Sequence, residues 1–329
     1  MRLAVLLTNV VSASPTHTTV HLLSAALARG HSVRVVEPWD LEIDERGRLQ
    51  LRAFILDGHP PDRDALVETL RTRTAPRRTV EALGHDVLLL RVNPIDTAVL
   101  AFAQLASRAG LRVLNHPDAL LRTTHKSWLA ALPPDVPRPR TVVTRSRASV
   151  ERFASTSRTG VILKPARACG GKGVGWVRPG DYGAIEASFE AALNAGDGWV
   201  VAQEYLPEAE AGEKRLLWLN GELLGGYLRL RAPGDFRHNL KLGGQPTVCT
   251  VDDVDRTAVA ALGPHLEAAG VWLAGVDVIG GRIVEVNVLN PGGAHFTTLL
   301  GGVEVGDRLV DALSAPGRPD RAPPVTCGE

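Results

Sequence analysis

The chain has 329 residues, of which 44% are hydrophobic and 22% are charged, and its formal net charge is +1. This length predicts about two domains with a sizeable core, and the composition argues against wholesale disorder. The near-zero charge gives no argument for nucleic acid or an acidic membrane as a partner, and no apolar run reaches the roughly 18 residues of a membrane helix. The isolated cysteines Cys169, Cys249 and Cys327 lack metal-site spacing and are typical of a reducing cytoplasm.

Strand and helix patterns alternate over residues 1–120. The segment LAVLLTNVV reads as a first strand, not a signal peptide, because it leads directly into a predicted helix at Thr18–Arg29. The apolar run Val87–Arg91 predicts a buried strand, and Gly110 ends the helix Thr97–Ala109 that follows it. Leu49–Leu56 is a candidate peripheral strand. The alternation predicts a parallel α/β sheet, and the absence of G-x-G-x-x-G after the first strand argues against a dinucleotide fold.

A proline-rich segment, Pro133–Pro139, marks a change of pattern. The remainder predicts a mixed α+β arrangement. The expected strands and helices are listed in chain order: strand from Thr141, helix, two strands flanking a glycine loop up to Val177, helix Tyr182–Ala195, strands Trp199–Glu204, Lys214–Leu219, Glu222–Arg231 and Val248–Thr250, helix Arg256–Ala269, a hairpin, and helix Val303–Ala312. The residues after Pro316 predict a frayed tail.

The segment VILKPARACGGKGVGWV, residues 161–177, carries a lysine strand and a glycine loop. Glycines allow backbone N–H groups to approach phosphate oxygens, and Lys164 and Lys172 add positive charge. The spacing is not that of a Walker A loop, and the chain runs strand–loop–strand without a following helix. The alternative is an ordinary glycine-rich turn.

Two weaker signals follow. In QEYLPEAEAGEKR, residues 203–215, a strand end offers backbone groups to an adenine edge and Glu213 is a candidate for binding ribose; a solvated loop is the alternative. In GDFRHNLKLGG, residues 234–244, Arg237 and Asn239 are two residues apart and can face one cleft, where arginine suits phosphoryl oxygens. The alternative there is a basic surface loop, and His238 is as readily exposed as functional.

Near the C-terminus, GVDVIGGRIVEVNVLNPGG predicts a β-hairpin. Its arms are Val276–Ile279 and Ile283–Leu289, with Gly280-Gly281 at the turn. Glu285 and Asn287 are two residues apart and therefore share one face of their strand.

The place of Asp277 depends on the turn. A strict two-residue loop pairs Asp277 with Val284 and puts it on the wrong face, whereas a three-residue loop, or a bulge at a glycine with positive φ, pairs it with Glu285. We favour the second register because it gathers the valines on one face. These are Val276, Val278, Val284, Val286 and Val288. The other face then carries oxygen ligands that suit Mg²⁺; an ordinary polar outer face is the alternative.

Taken in this order, the motifs resemble those of an ATP-grasp ligase, and most closely those of bacterial glutathione synthetase. The similarity covers nearly the whole chain, including DVLLLRVNPIDTAVL, NHPDALLRTTHKSWLA, ILKP…GGKG, QEYLPEAEAGEKRLLWLNGE and GVDVIGGRIVEVNVLNP. The loop GDFRHNLKLGG instead resembles the RimK-like branch. The resemblance implies an N-terminal α/β domain over residues 1–120 and a two-lobed ATP-grasp domain over 121–315. The smaller lobe would span about 121–200 and the larger about 201–315, followed by the tail 316–329.

The resemblance also implies roles for individual residues. Those expected to bind ATP are Lys126, Lys164, Gly170, Gly171, Lys172, Gly173, Gln203, Glu204, Tyr205, Leu206 and Glu213. The residues expected near the reacting phosphate are Arg215, Arg237 and Asn239. The metal ligands would be Asp277, Glu285 and Asn287, binding Mg²⁺ or Mn²⁺.

The chain departs from this family where the peptide substrate is expected. The usual Ser or Thr-Ser before the proline, with Arg and Glu after it, is replaced by LNPGGAHF at residues 289–296, and Asn93 stands where an acidic residue is usual. Asn93, Asn290, Gly292 and Gly293 are therefore candidate substrate residues.

The predicted function is ATP-dependent carboxylate–amine ligation through an acyl phosphate, with γ-glutamylcysteine and glycine as the small-molecule substrates. The alternatives are a RimK-like amino-acid or peptide ligase, a ligase of specialised metabolism, and a non-catalytic nucleotide-binding protein. A homo-oligomer is expected from the resemblance.

Overall fold

A computed structural model describes residues 1–58, 61–168 and 170–315. The predicted tail and Cys169 lie outside the described residues. The strands are β1 (Arg2–Leu7), β2 (Ser32–Val36), β3 (Leu41–Ile43), β4 (Leu49–Ile55), β5 (Arg77–Glu81), β6 (Val87–Arg91), β7 (Arg112–Leu114), β8 (Thr141–Thr144), β9 (Val161–Pro165), β10 (Gly175–Val177), β11 (Val200–Glu204), β12 (Glu213–Leu219), β13 (Glu222–Leu230), β14 (Gln245–Thr247), β15 (Leu273–Ile279) and β16 (Arg282–Asn287).

The helices are α1 (Thr18–Ala28), α2 (Arg63–Arg71), α3 (Thr97–Arg108), α4 (Pro117–Thr123), α5 (Ser127–Ala131), α6 (Arg147–Ser155), α7 (Ala184–Ala195), α8 (Asp253–Ala269), α9 (Ala294–Gly301) and α10 (Val305–Ser314). Among the described residues, none of these helices is both long and apolar enough to cross a membrane.

The N-terminal sheet has the order β3-β4-β2-β1-β6-β7, with β5 also paired to β4. Strands β2, β1, β6 and β7 are parallel, which confirms the predicted α/β sheet, whereas β3, β4 and β5 extend it in antiparallel fashion. Every residue of β6 is buried, as expected for a central strand with both faces covered. Strand β1 lies between β2 and β6, so the chain crosses from one side of β1 to the other before it enters β6.

Two antiparallel sheets make up the rest. The smaller has the order β10-β9-β11-β8, and α6 and α7 cover a separate hydrophobic core on it. The larger has the order β14-β13-β12-β15-β16. Its core is continuous with that of the N-terminal sheet: Trp218 and Val276 belong to the same cluster as Leu6 and Leu88. The small lobe thus has a core of its own.

Among the differences from the sequence expectation, the shifts of α8 and β14 have a clear physical cause. Helix α8 begins three residues early because Asp252 and Asp255 form a capping box at its start. The strand expected at Val248–Thr250 lies instead at Gln245–Thr247, where it pairs with the end of β13, and the Val248 side chain is exposed. Both shifts reflect local hydrogen bonding, which hydrophobic patterns do not report.

Candidate active site

A cleft lies between the small-lobe sheet and the larger sheet. It brings together most of the residues that the sequence proposed for ATP, metal and phosphate. These are Lys164, Gly170, Gly171, Gln203, Glu204, Tyr205, Leu206, Glu213, Arg215, Arg237, Asn239, Asp277, Glu285 and Asn287. Lys126, Lys172 and Gly173 do not line it.

One end of the cleft is apolar and is built around the segment that follows β11. The Tyr205 ring stacks on Trp176 at 4.3 Å between centroids, and its hydroxyl donates to Glu210 Oε1 at 2.7 Å. Burial, and then this hydrogen bond, raise the pKa of Tyr205 to about 12. Ile279 packs in the same cluster, with Val284 at its edge. An apolar, aromatic-lined end of this kind suits a nucleobase. Sequence reasoning did not identify Trp176, Ile279 and Val284 as residues of this site.

Lys164 lies at the middle of the cleft and is buried. Its Nζ donates to Gln203 Oε1 and to the Val284 carbonyl, each at 3.0 Å. Burial lowers its pKa to about 8, although the nearby Glu285 charge acts in the opposite direction. Gln203, expected to contact the nucleotide, therefore orients the lysine in this structure.

The hairpin β15–β16 has the register in which Asp277 opposes Glu285, as we favoured, but it reaches that register by a different device. The loop is a strict two-residue turn, since Ile279 opposes Arg282 and Val278 opposes Ile283. The extra residue is Val284, a bulge in the second arm.

The bulge also corrects the predicted valine face. Val276, Val278 and Ile283 pack in the core, whereas Val284 lines the cleft. Its carbonyl is turned towards Lys164 and accepts the hydrogen bond described above. The single extra residue therefore places Asp277 opposite Glu285 and supplies a hydrogen-bond acceptor for Lys164.

Asp277 is buried among cationic groups. Arg215 donates to both of its oxygens, at 2.5 and 3.0 Å, and Arg229 Nη2 lies 2.7 Å from Oδ1. Asn287 Nδ2 donates to Oδ2 at 3.1 Å. Burial alone would raise the pKa of Asp277, but the charges and hydrogen bonds of the two arginines lower it to about 2.

Arg229 is a site residue that sequence reasoning missed. It lies in β13 directly opposite Glu213 of β12, and its Nη2 donates to the Glu213 carboxylate as well as approaching Asp277. The cross-strand pairing with an acidic residue was the one available signal. Glu213 is thereby held by an arginine, and its expected contact with ribose stays a prediction.

His238 is buried rather than exposed. Its Nε2 is 2.8 Å from the Ala209 carbonyl, and its Nδ1 is 3.8 Å from Glu213 Oε2. Burial lowers the pKa of His238, with smaller effects from neighbouring charges. The His238 ring therefore stabilises the segment between β11 and β12 through its contact with the Ala209 carbonyl.

Two loops meet across the mouth of the cleft. Arg237 Nη1 donates to the Gly171 carbonyl at 3.2 Å, and Asp235 pairs with the same guanidinium at 2.8 Å. A Cβ built on Gly171 would lie 3.1 Å from the Leu242 side chain and 3.7 Å from Asn239 Nδ2. The predicted shared face of Arg237 and Asn239 thus lies against the glycine loop.

The remaining predicted nucleotide residues lie outside this cleft. Lys126 Nζ donates to the Ala168 carbonyl at 3.0 Å and lies 3.9 Å from Glu285 Oε1. Lys172 lines a second cleft, and Gly173 packs so closely on α7 that a Cβ would lie 2.5 Å from Ala195 Cβ. Close packing and a φ of +68° both favour glycine at position 173, and its expected contact with the nucleotide stays a prediction.

The second cleft opens from the other side of the same hairpin. It shares Glu285 and Asn287 with the first cleft, and Lys126 and Asn93 also line it. Asn290, Gly292 and Gly293 lie beside it on the loop before α9. Arg215 Nη1 donates to the Gly292 carbonyl at 3.2 Å. The predicted substrate residues are therefore adjacent to the predicted metal residues.

The donor set fits a divalent cation that arrives with phosphates. Across the described residues, no group of three acidic, histidine or cysteine side chains converges on one point, and the predicted set has two carboxylates and an amide. Four cations lie close to the predicted metal set: Lys126, Lys164, Arg215 and Arg229. Their charge suits a polyphosphate, whose oxygens would complete the coordination of Mg²⁺.

Solved structures with a similar fold include a synthetase and a RimK domain ATP-grasp protein. D-cycloserine synthetase DcsG aligns over 94% of this chain and 99% of its own, with a TM-score of 0.64 and 19% identity. The RimK domain ATP-grasp protein from Sphaerobacter thermophilus covers 95% and 99%, with a TM-score of 0.60 and 20% identity. At these identities the likeness concerns the fold, which is that of an ATP-grasp protein.

Sequence comparisons are more specific. The family profile of the prokaryotic glutathione synthetase N-terminal domain matches residues 1–121, and that of its ATP-grasp domain matches residues 129–298. Glutathione synthetase of Synechococcus elongatus is 33% identical over 326 residues, which cover 96% of this chain and 98% of the relative. That of Pseudomonas aeruginosa is 32% identical over 303 residues, covering 89% and 91%.

The chain belongs to the prokaryotic glutathione synthetase family. It is an ADP-forming ligase that uses ATP and Mg²⁺ to join a carboxylate to an amine.

Proposed function

We propose that this ligase joins the cysteinyl carboxylate of γ-glutamylcysteine to the amine of glycine. Membership of the glutathione synthetase family supports this choice of substrates, because the relatives that match nearly the whole chain carry that name. The observation that carries the proposal is the meeting of the two clefts at Glu285 and Asn287. A nucleotide in the first cleft and a carboxylate in the second would reach the same end of the hairpin.

In this proposal Lys164, Lys126 and Arg215 neutralise the phosphates, so that the substrate carboxylate can approach the γ-phosphorus without repulsion. The hairpin residues Asp277, Glu285 and Asn287 would hold Mg²⁺, which supplies further charge neutralisation to the triphosphate. The carboxylate attacks, ADP leaves, and the amine then displaces phosphate from the acyl phosphate. The contact between Arg237 and the Gly171 carbonyl is suited to excluding water from that intermediate.

The test is substrate-dependent ADP release with γ-glutamylcysteine and glycine, with the product identified by mass spectrometry. Glu285→Gln is expected to lower kcat at least about a hundredfold while retaining the circular dichroism spectrum, because it removes a metal-facing charge from a half-exposed position. Glu68→Gln, on the exposed face of α2, serves as the matched control. Retained ligation in the Glu285 variant would overturn the metal assignment.

A second candidate is ligation of another amino acid or peptide. The loop at residues 289–296 departs from the family, and the second cleft is larger than the nucleotide cleft. A panel of amino acids and peptides, offered with and without γ-glutamylcysteine, distinguishes the two. ADP release with a panel member and none with γ-glutamylcysteine would favour this candidate.

Finer properties are also proposed. Mn²⁺ is expected to replace Mg²⁺, because the ligands are hard oxygens. We also propose a cytoplasmic homo-oligomer; light scattering of the purified chain tests the assembly.

A further inference from the structure

Two cations of the small lobe line the second cleft, Arg167 and Lys172. Arg167 follows β9 by two residues and Lys172 lies in the glycine loop, so both belong to the segment that connects β9 to β10. Neither residue lines the first cleft, where the nucleotide is expected. Their charge therefore acts on a ligand in the second cleft.

Both side chains are exposed, and among the described residues neither forms an ion pair or a hydrogen bond. An unpaired cation on an open surface is ordinary. Arg167 and Lys172 instead line a concave site, whose low-dielectric walls strengthen the attraction of a bound anion.

Each acidic side chain that lines the second cleft already has a basic group beside it. Asp197 Oδ2 lies 3.3 Å from His125 Nε2, and Glu285 Oε1 lies 3.9 Å from Lys126 Nζ. Neither carboxylate forms an ion pair with the two small-lobe cations. The cleft thus offers two uncompensated positive charges to an anionic group.

The second cleft also reaches the place where ligation is proposed, because Glu285 and Asn287 line it. The triphosphate has its own cations in the first cleft, Lys164 and Arg215. The residues expected to recognise the acyl donor belong to the N-terminal domain and to the loop before α9. The acceptor is therefore the reactant that remains for the small-lobe side.

The chemistry of the acceptor fits two cations. An amino acid must attack through its neutral amine, and in that form its one charge is the negative carboxylate. Arginine presents a planar fork that matches a carboxylate, and lysine adds a point charge.

We propose that Arg167 and Lys172 bind the carboxylate of the acceptor amino acid. The proposal rests on the proposed ligation and restricts its acceptor to amines that carry a free carboxylate. Held in this way, the amine is oriented towards the acyl phosphate at the hairpin. Its lone pair forms the C–N bond, the electrons of the C–O bond leave with phosphate, and the proton released by nitrogen passes to that phosphate.

The experiment compares glycine with glycinamide, which keeps the amine and lacks the charge. Arg167→Met and Lys172→Met are each expected to raise KM for glycine about tenfold, near the lower end for a charged hydrogen bond because both side chains are exposed. KM for glycinamide is expected to stay within about twofold. Each ratio is taken between proteins at one pH, so the different basicity of the two amines cancels.

Arg158→Met is the matched control, because Arg158 is an exposed arginine of the small lobe that lines neither cleft. Its KM for both acceptors is expected to match that of the unaltered chain. Arg167→Lys is expected to restore part of the loss for glycine. Equal changes for glycine and glycinamide, or a rise in KM for ATP or for γ-glutamylcysteine instead, would overturn the proposal.

Propionate, which has the shape of glycine without its amine, tests the site apart from turnover. Saturation-transfer NMR with Mg²⁺ and a non-hydrolysable ATP analogue is expected to detect propionate on the unaltered protein and at least about tenfold weaker binding to the double Met variant. That result supports the site even if γ-glutamylcysteine proves not to be ligated. Equal binding to both proteins, or none to either, removes the site and leaves the proposed function standing.

Discussion

Two buried side chains in the cleft of this ligase show opposite outcomes of the competition between burial and neighbouring charges. Asp277 stays ionised because two arginines contact it, and Lys164 is held near a pKa of about 8 although a carboxylate lies 4.0 Å away. The first case stabilises a fixed negative charge at the metal end. The second leaves a lysine whose charge depends on what binds beside it, and phosphates would raise its pKa again.

His21 gives a test of burial at the residue scale. Burial, followed by the charges of Arg63 and His295, lowers its pKa from 6.5 to about 4, and Arg63 Nη1 lies 3.0 Å from its Nδ1. The folded pKa is below the unfolded value, so the unfolded chain takes up the proton first. The contribution of neutral His21 to the free energy of unfolding is therefore fully present above pH 6.5 and is lost as the pH falls towards 4.

The full shift corresponds to about 3 kcal/mol, which partial solvent screening reduces to about 1–2 kcal/mol. Urea unfolding of the unaltered chain should show that loss between about pH 7 and about pH 4, relative to His21→Gln. Parallel stability curves for the two proteins would contradict this assignment.

At the scale of elements, the hairpin shows what sequence can predict. The alternation of valines with Asp277, Glu285 and Asn287 was enough for the strands, for the shared polar face and for the favoured register. It could not identify Val284 as the bulge, because a valine fits either face equally well. Sequence reasoning also missed the contacts of Arg229 and Arg91, for a related reason. Each arginine lies within or at the end of an apolar strand. Its partner, Asp277 for Arg229 and Pro291 for Arg91, is distant in the sequence.

The bulge itself can be removed. Deleting Val284 should keep Asp277 opposite Glu285, because the residues on either side of it are already paired, but Lys164 would lose a carbonyl acceptor. Affinity for ATP is expected to fall about ten- to a hundredfold, the worth of a hydrogen bond to a charged group. Calorimetry with ATP measures this.

Val284→Ala is the matched control, since it keeps the bulge and its carbonyl while losing only the apolar contact. The deletion is expected to weaken ATP binding more than the alanine does. The reverse order would mean that the side chain, not the carbonyl, is what the bulge provides.

For the molecule as a whole, one buried amide joins the N-terminal sheet to the hairpin. Asn115 follows β7, and its Oδ1 accepts from the backbone N–H groups of Trp272 and Leu273 at 2.8 Å each. Its Nδ2 donates to the carbonyls of Leu273 and Val288 at 2.9 and 2.8 Å. The start of β15 and the end of the hairpin are thus fixed by a residue of the other sheet.

Asn115→Ala would leave these backbone groups buried without partners, and we expect a loss of about 3–5 kcal/mol in the free energy of unfolding. Urea denaturation measures it, with the exposed Asn194→Ala of the small lobe as a control expected within about 0.5 kcal/mol. A loss in Asn115→Ala no larger than that of the control would show that the shared hydrophobic core alone joins the two sheets.

The loop at residues 289–296 is held from both sides by arginines that contact main-chain carbonyls, Arg91 on Pro291 and Arg215 on Gly292. Carbonyl oxygens are common to every amino acid. The position of the loop is therefore insensitive to which side chains it carries, and selection can exchange them without losing its placement beside the reacting groups. Substitutions that alter the choice of substrate are accordingly expected to be tolerated most easily at this loop.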